Sequence, residues 1–563
     1  MKRKKKGLAL LTGLLVISMA LSGCGSGNSN GKNNSAAGEA STGANTAASE
    51  PGDPFGAYNP PVTLSAVKML SEEVKFPEGQ DIEHNVWSDL YKQMGIDVKY
   101  KWTVTGSDQY DSKLNIAIAS KDLPDFMMVN ETQLRQLADA GQLADLTEAF
   151  NNYASDDLKA VMKIDENALP SATFDGKLLA IPSTQPVIGG SAPLLWVRAD
   201  WMKKLGLQAP TTMDDVVKMA EAFAANDPDG NGKADTYGLG LTQKIGQSTD
   251  SIGIFNGYGA YPQIWVDDGS GGLQYGSIQP EMKEALATLQ KMYAEKLIDP
   301  EFGVKDTVKM FETITSNKLG MVVGPSWYPA WPFWDMVKAD PSVDWVSYPM
   351  PSVKGGEATV QMPFSVSQYY VLKKGYSHPE LIVKLANLYY QKLYSDEAEF
   401  DKYGQVTTAT DSIGVNKYSL VEVVNPNKDL IRQQELEEAL KSKSDAGISS
   451  SETKIMFKEF KTYLDGTNPA GWSGYAANGP DGAMKQLRIL NDAGKVISNG
   501  FVGAPTETMA EKKVTLDKLE IETFTKIITG EASLDSFDSF VKSWKSLGGD
   551  QITKEVNEWK TSH

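Results

Sequence analysis

Nine consecutive residues carry the sharpest chemical pattern in the chain: Asp227-Pro228-Asp229-Gly230-Asn231-Gly232-Lys233-Ala234-Asp235. Side-chain oxygens at positions 1, 3, 5 and 9, a glycine at 6 and the Lys233 carbonyl at 7 reproduce the donor order of a calcium loop. A hard divalent cation gathers many oxygens around one tight turn, and Gly232 permits that turn. The departure is at position 12, where Gly238 stands in place of the bidentate glutamate. A further ligand then has to come from Thr236 or a remote acid, or affinity falls. The flanks also differ from those of a sensor hand. A helix is expected over Met213–Ala225, but Tyr237-Gly238-Leu239-Gly240-Leu241 reads as a strand, so the ion would be structural. A metal-free, Asx-rich turn suits the same residues.

A second constellation is aromatic. After the apolar strand Gly320-Met321-Val322-Val323-Gly324 comes Pro325-Ser326-Trp327-Tyr328-Pro329-Ala330-Trp331-Pro332-Phe333-Trp334. So dense a run of rings exceeds what one buried face needs. Flat apolar rings meet the C–H faces of sugars, while polar handles and nearby acids meet hydroxyls. Trp327 lies closest to the strand's end and is the first candidate for a ligand contact, with Tyr328 and Trp331 beside it. Trp472, in the Gly-rich stretch Pro469–Tyr475, is a second, because a loop presents a ring well. Tyr369 and Tyr370 point to opposite faces of one strand, so at most one, taken as Tyr370, meets ligand. Trp196, Trp201 and Trp265 read as packing.

Other chemistry is thinly supplied. Arg198 and Asp200 suit a structural pair at a strand-to-helix junction, and Asp122 and Asp125 flank a strand entrance. A glycosidase needs two carboxylates at a set separation, which 72 acidic residues neither specify nor forbid. No G-x-x-x-x-G-K-[ST] loop or Gly-x-Ser-x-Gly elbow occurs. The three histidines, His84, His378 and His563, are far apart, which leaves little for a His-based triad or metal site.

The elements that must position these residues alternate. Strands near Pro61–Val67, Ile96–Thr105 and Phe126–Val129 are separated by helices around Asn85–Met94 and Asp111–Ser120. A helix over Gln133–Ala140 stops at Gly141. This is an α/β pattern with a largely parallel sheet. Asp175-Gly176 between apolar arms predicts a hairpin. The α/β pattern then restarts at Leu194–Arg198 and runs to about Tyr348, with an amphipathic helix at Glu281–Glu295. A strand at Tyr369–Lys373 and a helix at Glu380–Gln391 follow, and from Asp429 the chain reads as mostly helical.

The start of the chain sets its compartment. Lys2 to Lys6 form a basic leader and Gly7–Leu21 an apolar run, the layout of a secretory signal peptide too short to span a bilayer. Leu21-Ser22-Gly23-Cys24 contains the only cysteine and resembles a bacterial lipobox, which implies diacylglyceryl attachment at Cys24 and anchoring in the membrane. Gly25 to about Gly56 is a Ser/Gly/Asn/Ala leash. Without the five basic residues of 1–23, 50 basic residues stand against 72 acidic ones, a net charge of −22. Such a surface excludes nucleic acid as a partner.

The order of these pieces resembles the extracellular solute-binding lipoproteins of bacterial ABC importers, family 1 (maltose-binding-protein-like), in the long oligosaccharide-receptor branch. The stretches that carry the likeness are Asp122-Leu123-Pro124-Asp125, Ala140-Gly141-Gln142-Leu143-Ala144-Asp145-Leu146-Thr147 and Leu195-Trp196-Val197-Arg198-Ala199-Asp200-Trp201-Met202-Lys203-Lys204-Leu205-Gly206-Leu207. Trp544–Asp550 and Glu555–Trp559 add to it. The resemblance implies two α/β lobes joined by hinge segments and closing over a ligand. After the signal peptide (1–23) and a linker (24–56), lobe 1 would take 57–187 with a return segment near 352–425. Lobe 2 would take 188–351 with the helical tail 426–563.

It further implies a monomeric, non-catalytic receptor, anchored on the outer face of the membrane through Cys24. The receptor would pass a carbohydrate to permease subunits, with calcium as a structural ion. A receptor for peptides or another solute, and a surface-anchored carbohydrate-active enzyme, remain open on the residues alone.

Overall fold

In the computed structural model, which describes residues 52–71, 74–407 and 412–562, nine strands build two main sheets. Strands β1 (Val62–Leu70), β2 (Ile96–Thr105), β3 (Phe126–Val129) and β4 (Ile181–Thr184) belong to lobe 1. Strands β5 (Leu194–Arg198), β6 (Tyr237–Gly240), β7 (Leu319–Gly324) and β8 (Trp345–Pro349) belong to lobe 2, and β9 (Val366–Leu372) returns to lobe 1. The orders are β2-β1-β3-β9-β4 and β8-β5-β7-β6. Neither sheet is as parallel as the alternation suggests. β1 runs parallel to β2 and β3, but β9 is antiparallel to β3 and β4. In lobe 2, β5 is antiparallel to both β7 and β8, and only β6 is parallel to its neighbour β7. The physical reason for β9 is its origin: it arrives from lobe 2 at the carboxyl edge of β3, and an antiparallel entry there needs no crossover helix.

Each lobe has its own core. Buried residues from Leu64 to Ile181 and from Val366 to Val424 pack in one, and those from Ile188 to Val360 and from Leu430 to Val556 in the other. Residues 352–362 were expected in the return segment, yet Val360 lies in the lobe 2 core and pairs with Val496. The linker also ends earlier than Gly56. The Asn387 amide donates to the Pro54 carbonyl (3.1 Å) and the Lys384 ammonium to that of Gly56 (2.7 Å). Both side chains come from the helix Glu380–Tyr394, which fastens these residues to lobe 1. The signal peptide, Cys24 and the leash up to Pro51 lie outside the described residues.

Local chemistry fixes the pieces that matter for a site. Asn130 caps the helix Glu131–Asp139 in a reciprocal box, its Oδ1 accepting from Gln133 N and its own N–H donating to Gln133 Oε1, both at 3.0 Å. The Asp175-Gly176 turn has both φ angles positive (49° and 73°), as the short hairpin between Thr173–Phe174 and Lys177–Leu178 requires. Arg198 is buried, bonds both oxygens of Asp200 (2.8 and 2.6 Å), and lies 4.4 Å over the ring of Trp201. That pair is structural. In the tail, helices Glu507–Ile528, Ser536–Trp544 and Asp550–Ser562 pack on lobe 2, while Leu436, Phe457 and Phe460 of two further helices form a small third core.

Candidate functional site

Three segments cross between the lobes, near 182–188, 362–366 and 424–430. They are laced together. Thr184 Oγ1 donates to the Val424 carbonyl (2.7 Å), Val424 N to the Thr184 carbonyl (3.1 Å) and Gln185 N to the Ser365 carbonyl (3.0 Å). Beside this hinge open the carboxyl ends of β3, β4 and β7, the place where α/β sheets bind ligands.

The lobe 2 wall starts where β7 ends. Ser326 Oγ donates to the Gly189 carbonyl (2.8 Å) and Trp327 Nε1 to that of Gly190 (3.2 Å), both in the short helix Val187–Ser191 after the first crossing. Trp327 keeps 39% of its surface exposed and meets the buried ring of Phe311 edge-on (6.4 Å). Trp331, 45% exposed, packs on the same Phe311 at 4.5 Å. Tyr328 differs from the expectation. It is 3% exposed, lies so close to β7 that a Cβ on Gly324 would meet its ring at 2.1 Å, and packs on Phe311 and Phe333. It is core, because the chain turns the ring back under the strand. Trp472 also departs from its reading. It opens the helix Trp472–Asn478, not a loop, and its half-buried ring stacks on Trp334 (6.4 Å, 23°).

The lobe 1 wall holds residues that sequence reasoning missed. A pocket of about 340 Å³ is lined by Lys68, Ser183, Gln185, Gln368, Lys417 and Glu422, with Tyr370 among them. Tyr370 is only 3% exposed; its hydroxyl donates to Ser183 Oγ (3.3 Å) and accepts from Glu422 N (2.9 Å). It therefore builds the pocket more than it presents a face. The Lys68 ammonium donates to the Ser419 carbonyl. Burial lowers the Lys68 pKa against the pull of Glu422, and burial raises that of Glu422 against the pull of Lys68 and Lys417. A lysine inside the strand Val62–Leu70 and a glutamate inside Val421–Val424 were the available signals.

A smaller pocket, about 160 Å³, brings the lobes together: Glu131 of lobe 1 faces Gln263, Asn499, Phe501, Lys513 and Asp517 of lobe 2. Behind it the fully buried Glu520 accepts from Gln263 Nε2 (2.8 Å), Ser277 Oγ (3.0 Å) and Tyr275 OH (3.4 Å). A larger hollow, about 810 Å³, is lined by Arg135, Asp139, Asp145 and Lys177 of lobe 1 and by Val502, Ala504 and Trp559 of lobe 2. The lobe 1 residues flank the amino-terminal edge of the lobe 1 sheet, and Arg135 and Asp139 pair at 2.8 Å with both side chains more than half exposed.

The acidic loop follows the helix Met213–Ala225. Asn231 Nδ2 donates to Asp229 (2.7 Å) and Asp235 (3.0 Å), and the Asn231 and Gly232 N–H groups donate to Asp227 (3.1 and 3.0 Å). Lys204 holds the carbonyls of Asp227 and Pro228 (3.2 and 2.8 Å), and Lys318 pairs with Asp235 (3.2 Å). Lys233 contributes its N–H to Asn231 Oδ1 (2.8 Å). Thr236 is not a spare ligand, since its buried hydroxyl donates to the Phe223 carbonyl (2.8 Å). Among the described residues no group of three acids, histidines or cysteines is gathered as a metal cage. The donors stand side by side, bridged by an amide N–H. The donor types, three carboxylates and an amide on one turn, are those of a hard cation; burial and the neighbouring Asp227 push the Asp229 carboxyl up, whereas hydrogen bonds hold those of Asp227 and Asp235 down.

Comparison with known proteins converges on one family. The family model for bacterial extracellular solute-binding proteins matches residues 77–398, more than half of the chain. Lipoprotein LipO of Bacillus subtilis is 26% identical over 487 residues, covering 83% of this chain and 87% of LipO. The polygalacturonan/rhamnogalacturonan-binding protein YtcQ of the same species is 22% identical over 463 residues, covering 80% and 82%. Among solved structures, an EF-hand mutant of the ABC-transporter substrate-binding protein FusA of Streptococcus pneumoniae, in complex with fructo-nystose, has the same fold. It aligns over 89% of this chain and 99% of its own with a TM-score of 0.58 at 16% identity.

Proposed function

The chain belongs to the bacterial extracellular solute-binding proteins, and from that membership we propose that it captures an oligosaccharide between its lobes and delivers it to the permease of an ABC importer. The observation that carries this reading is Trp327: an indole at the carboxyl end of β7, beside the hinge, with its face open to solvent. A ring so placed stacks on a sugar, while amides and carboxylates of the facing lobe meet hydroxyls. The ligands named for the relatives, fructo-nystose for FusA and polygalacturonan/rhamnogalacturonan for YtcQ, are both saccharides. The protein binds and releases; it does not turn its ligand over. Closure over sugar supplies the form the permease selects.

Three finer points belong to the same reading. Cys24 carries the lipid anchor that keeps a monomeric receptor near its permease, as the name of lipoprotein LipO supports. Asp227, Asp229, Asn231, Asp235 and the Lys233 carbonyl hold a structural calcium ion, supported by the EF-hand named for FusA. Trp327 and the lobe 1 pocket around Lys68 and Glu422 form opposite sides of the ligand site. A thermal-shift screen of oligosaccharides and peptides tests the function, with product analysis of the sugar wells. Saccharides raise the melting temperature and are recovered intact. Stabilisation by peptides alone, or a cleaved sugar, defeats the proposal.

A further inference from the structure

The rings that follow β7 divide by what their faces already meet. Tyr328 and Phe333 are buried, and Phe333 stacks on Trp345 at 4.1 Å with the planes 2° apart. Trp334 is half-buried and stacks on Trp472. Trp327 and Trp331 stay open. Both lean on one residue: Phe311, buried in the helix Thr307–Thr315, meets them at 6.4 and 4.5 Å, nearly perpendicular to each (74° and 85°). The open indoles are therefore neighbours on a shared support. That support stands at the edge from which Trp327 springs. Gln243 N donates to the Lys305 carbonyl (2.8 Å), which brings the start of the helix beside the carboxyl end of β6, and β6 runs parallel to β7.

Trp331 differs from Trp327 in a respect that matters for a sugar. The Trp327 N–H is taken by the Gly190 carbonyl, whereas the Trp331 N–H has no acceptor among the described residues. An exposed indole with an unused donor offers an apolar surface to C–H groups and a hydrogen bond to a hydroxyl. Its backbone is held in place. Buried Pro329 and Pro332 flank it, Ala330 N donates to the Trp327 carbonyl (2.9 Å) and Phe333 N to that of Tyr328 (3.2 Å). A ring carried on such a turn costs little to order. Single exposed apolar residues are ordinary, but large rings left open side by side mark a binding surface. The lobe 1 pocket offers about 340 Å³, near the lower limit for a small-molecule site, so a longer chain has to be supported outside it.

We propose that Trp331 is a second stacking platform, the next along the ligand after Trp327, and that the protein grades saccharides by length, preferring chains that cover both rings to shorter pieces of the same chain. This rests on the saccharide reading above and adds to it the length of the ligand.

The test is calorimetric titration of the full chain with linear fructan, galactan, mannan and galacturonan series, from monosaccharide to hexasaccharide. In the series that binds, affinity rises roughly tenfold at the length that reaches the second ring and then levels. Trp331→Ala removes that rise and leaves the affinity for shorter members within about twofold of wild type. Trp331→Phe, which keeps a ring and loses the N–H, retains part of the rise. A second reading comes from the wild type with isotope-labelled tryptophan: the Trp331 indole N–H resonance, assigned through Trp331→Phe, moves with long members and stays in place with short ones. Affinity that does not change with length, a rise that survives Trp331→Ala, an equal loss at every length, or a resonance that no oligomer moves overturns the role of Trp331 and leaves the saccharide reading standing. Failure of every oligomer to bind overturns both readings together.

Discussion

The indole Nε1 of Trp327 donates to the carbonyl oxygen of Gly190 across 3.2 Å, tying the open ring at the end of β7 to the segment by which the chain enters lobe 2. A ring fixed in this way meets ligand without first losing rotamer freedom. Trp327→Ala is expected to weaken saccharide binding by about 2 kcal/mol or more, roughly thirtyfold. The melting temperature should also fall, because the covered part of the ring packs on Phe311 and Tyr328, so affinities are compared below the unfolding transition. Trp327→Phe keeps a stacking face but loses the hydrogen bond, and should fall between the two, about 1 kcal/mol from wild type. Calorimetry decides; equal affinities for wild type and Trp327→Ala would remove Trp327 from the site.

The acidic loop gives a prediction against simple consensus. Restoring the position-12 glutamate as Gly238→Glu should not improve calcium binding. Gly238 sits on β6 against the helix Met213–Ala225, and a Cβ there would meet Ala220 at 2.4 Å from both its Cα and its Cβ. The substitution should cost about 1–3 kcal/mol of stability through overpacking. In the wild type, calcium should raise the melting temperature and chelation lower it, and Asp229→Ala should abolish that response. Scanning calorimetry with calcium or chelator reads all three. A wild type indifferent to chelator would mean that the loop is a metal-free turn.

Much of this architecture was readable before the structure, and the failures share a cause. β2, β3 and β5 fall where the apolar runs placed them, at Ile96–Thr105, Phe126–Val129 and Leu194–Arg198, since short runs bounded by turn residues have few other fates. Strand direction was less legible. β9 runs antiparallel because of which lobe it comes from, and no local pattern encodes that. The aromatic run after β7 was legible as a cluster, but which ring faces out depends on how the chain turns. Tyr328 went inward and Trp327 stayed open. Lys68, Glu422 and Glu131 were missed because single charged residues in apolar surroundings gain meaning only when elements far apart in sequence meet.

Glu520 makes the stability of lobe 2 depend on pH. Burial, partly offset by hydrogen bonds from Gln263 and Ser277, pushes its carboxyl up to about 7 from an ordinary 4.5. An acid whose pKa is raised on folding disfavours the fold when ionised. Its penalty is absent below the unfolded pKa, grows from about pH 4.5 to 7, and is full above 7. Glu520→Gln keeps the shape and acceptor oxygen without the charge. The variant should match wild type near pH 5 and exceed it at pH 8 by on the order of 3 kcal/mol. Urea denaturation at the two pH values measures the difference. An equal offset at both would show that the ionised form costs nothing.

The anchor is tested in cells. Cys24→Ser removes the thiol that acylation needs, so the protein should move from the membrane fraction to the medium or lose signal-peptide cleavage. Either outcome is read by fractionation and the mass of the mature chain. A membrane-bound, fully processed Cys24→Ser protein would contradict anchoring through this residue.

Lys68 and Glu422 should be coupled through the pocket they share. Removing one member leaves the other, or Lys417, without its counter-charge in a partly dry site. Burial raises the Glu422 carboxyl despite the two lysines, so Glu422→Gln, like Glu520→Gln, should leave stability unchanged or higher at pH 8. Burial likewise lowers the Lys68 pKa, so the loss in Lys68→Met comes from the bond to the Ser419 carbonyl, about 1 kcal/mol. The double variant should then be more stable than the sum of the singles predicts, by about 1 kcal/mol. A double-mutant cycle by chemical denaturation measures that coupling. Strict additivity would mean that each charge is solvated on its own, and that the pocket reaches a sugar with two independent ions instead of one balanced pair.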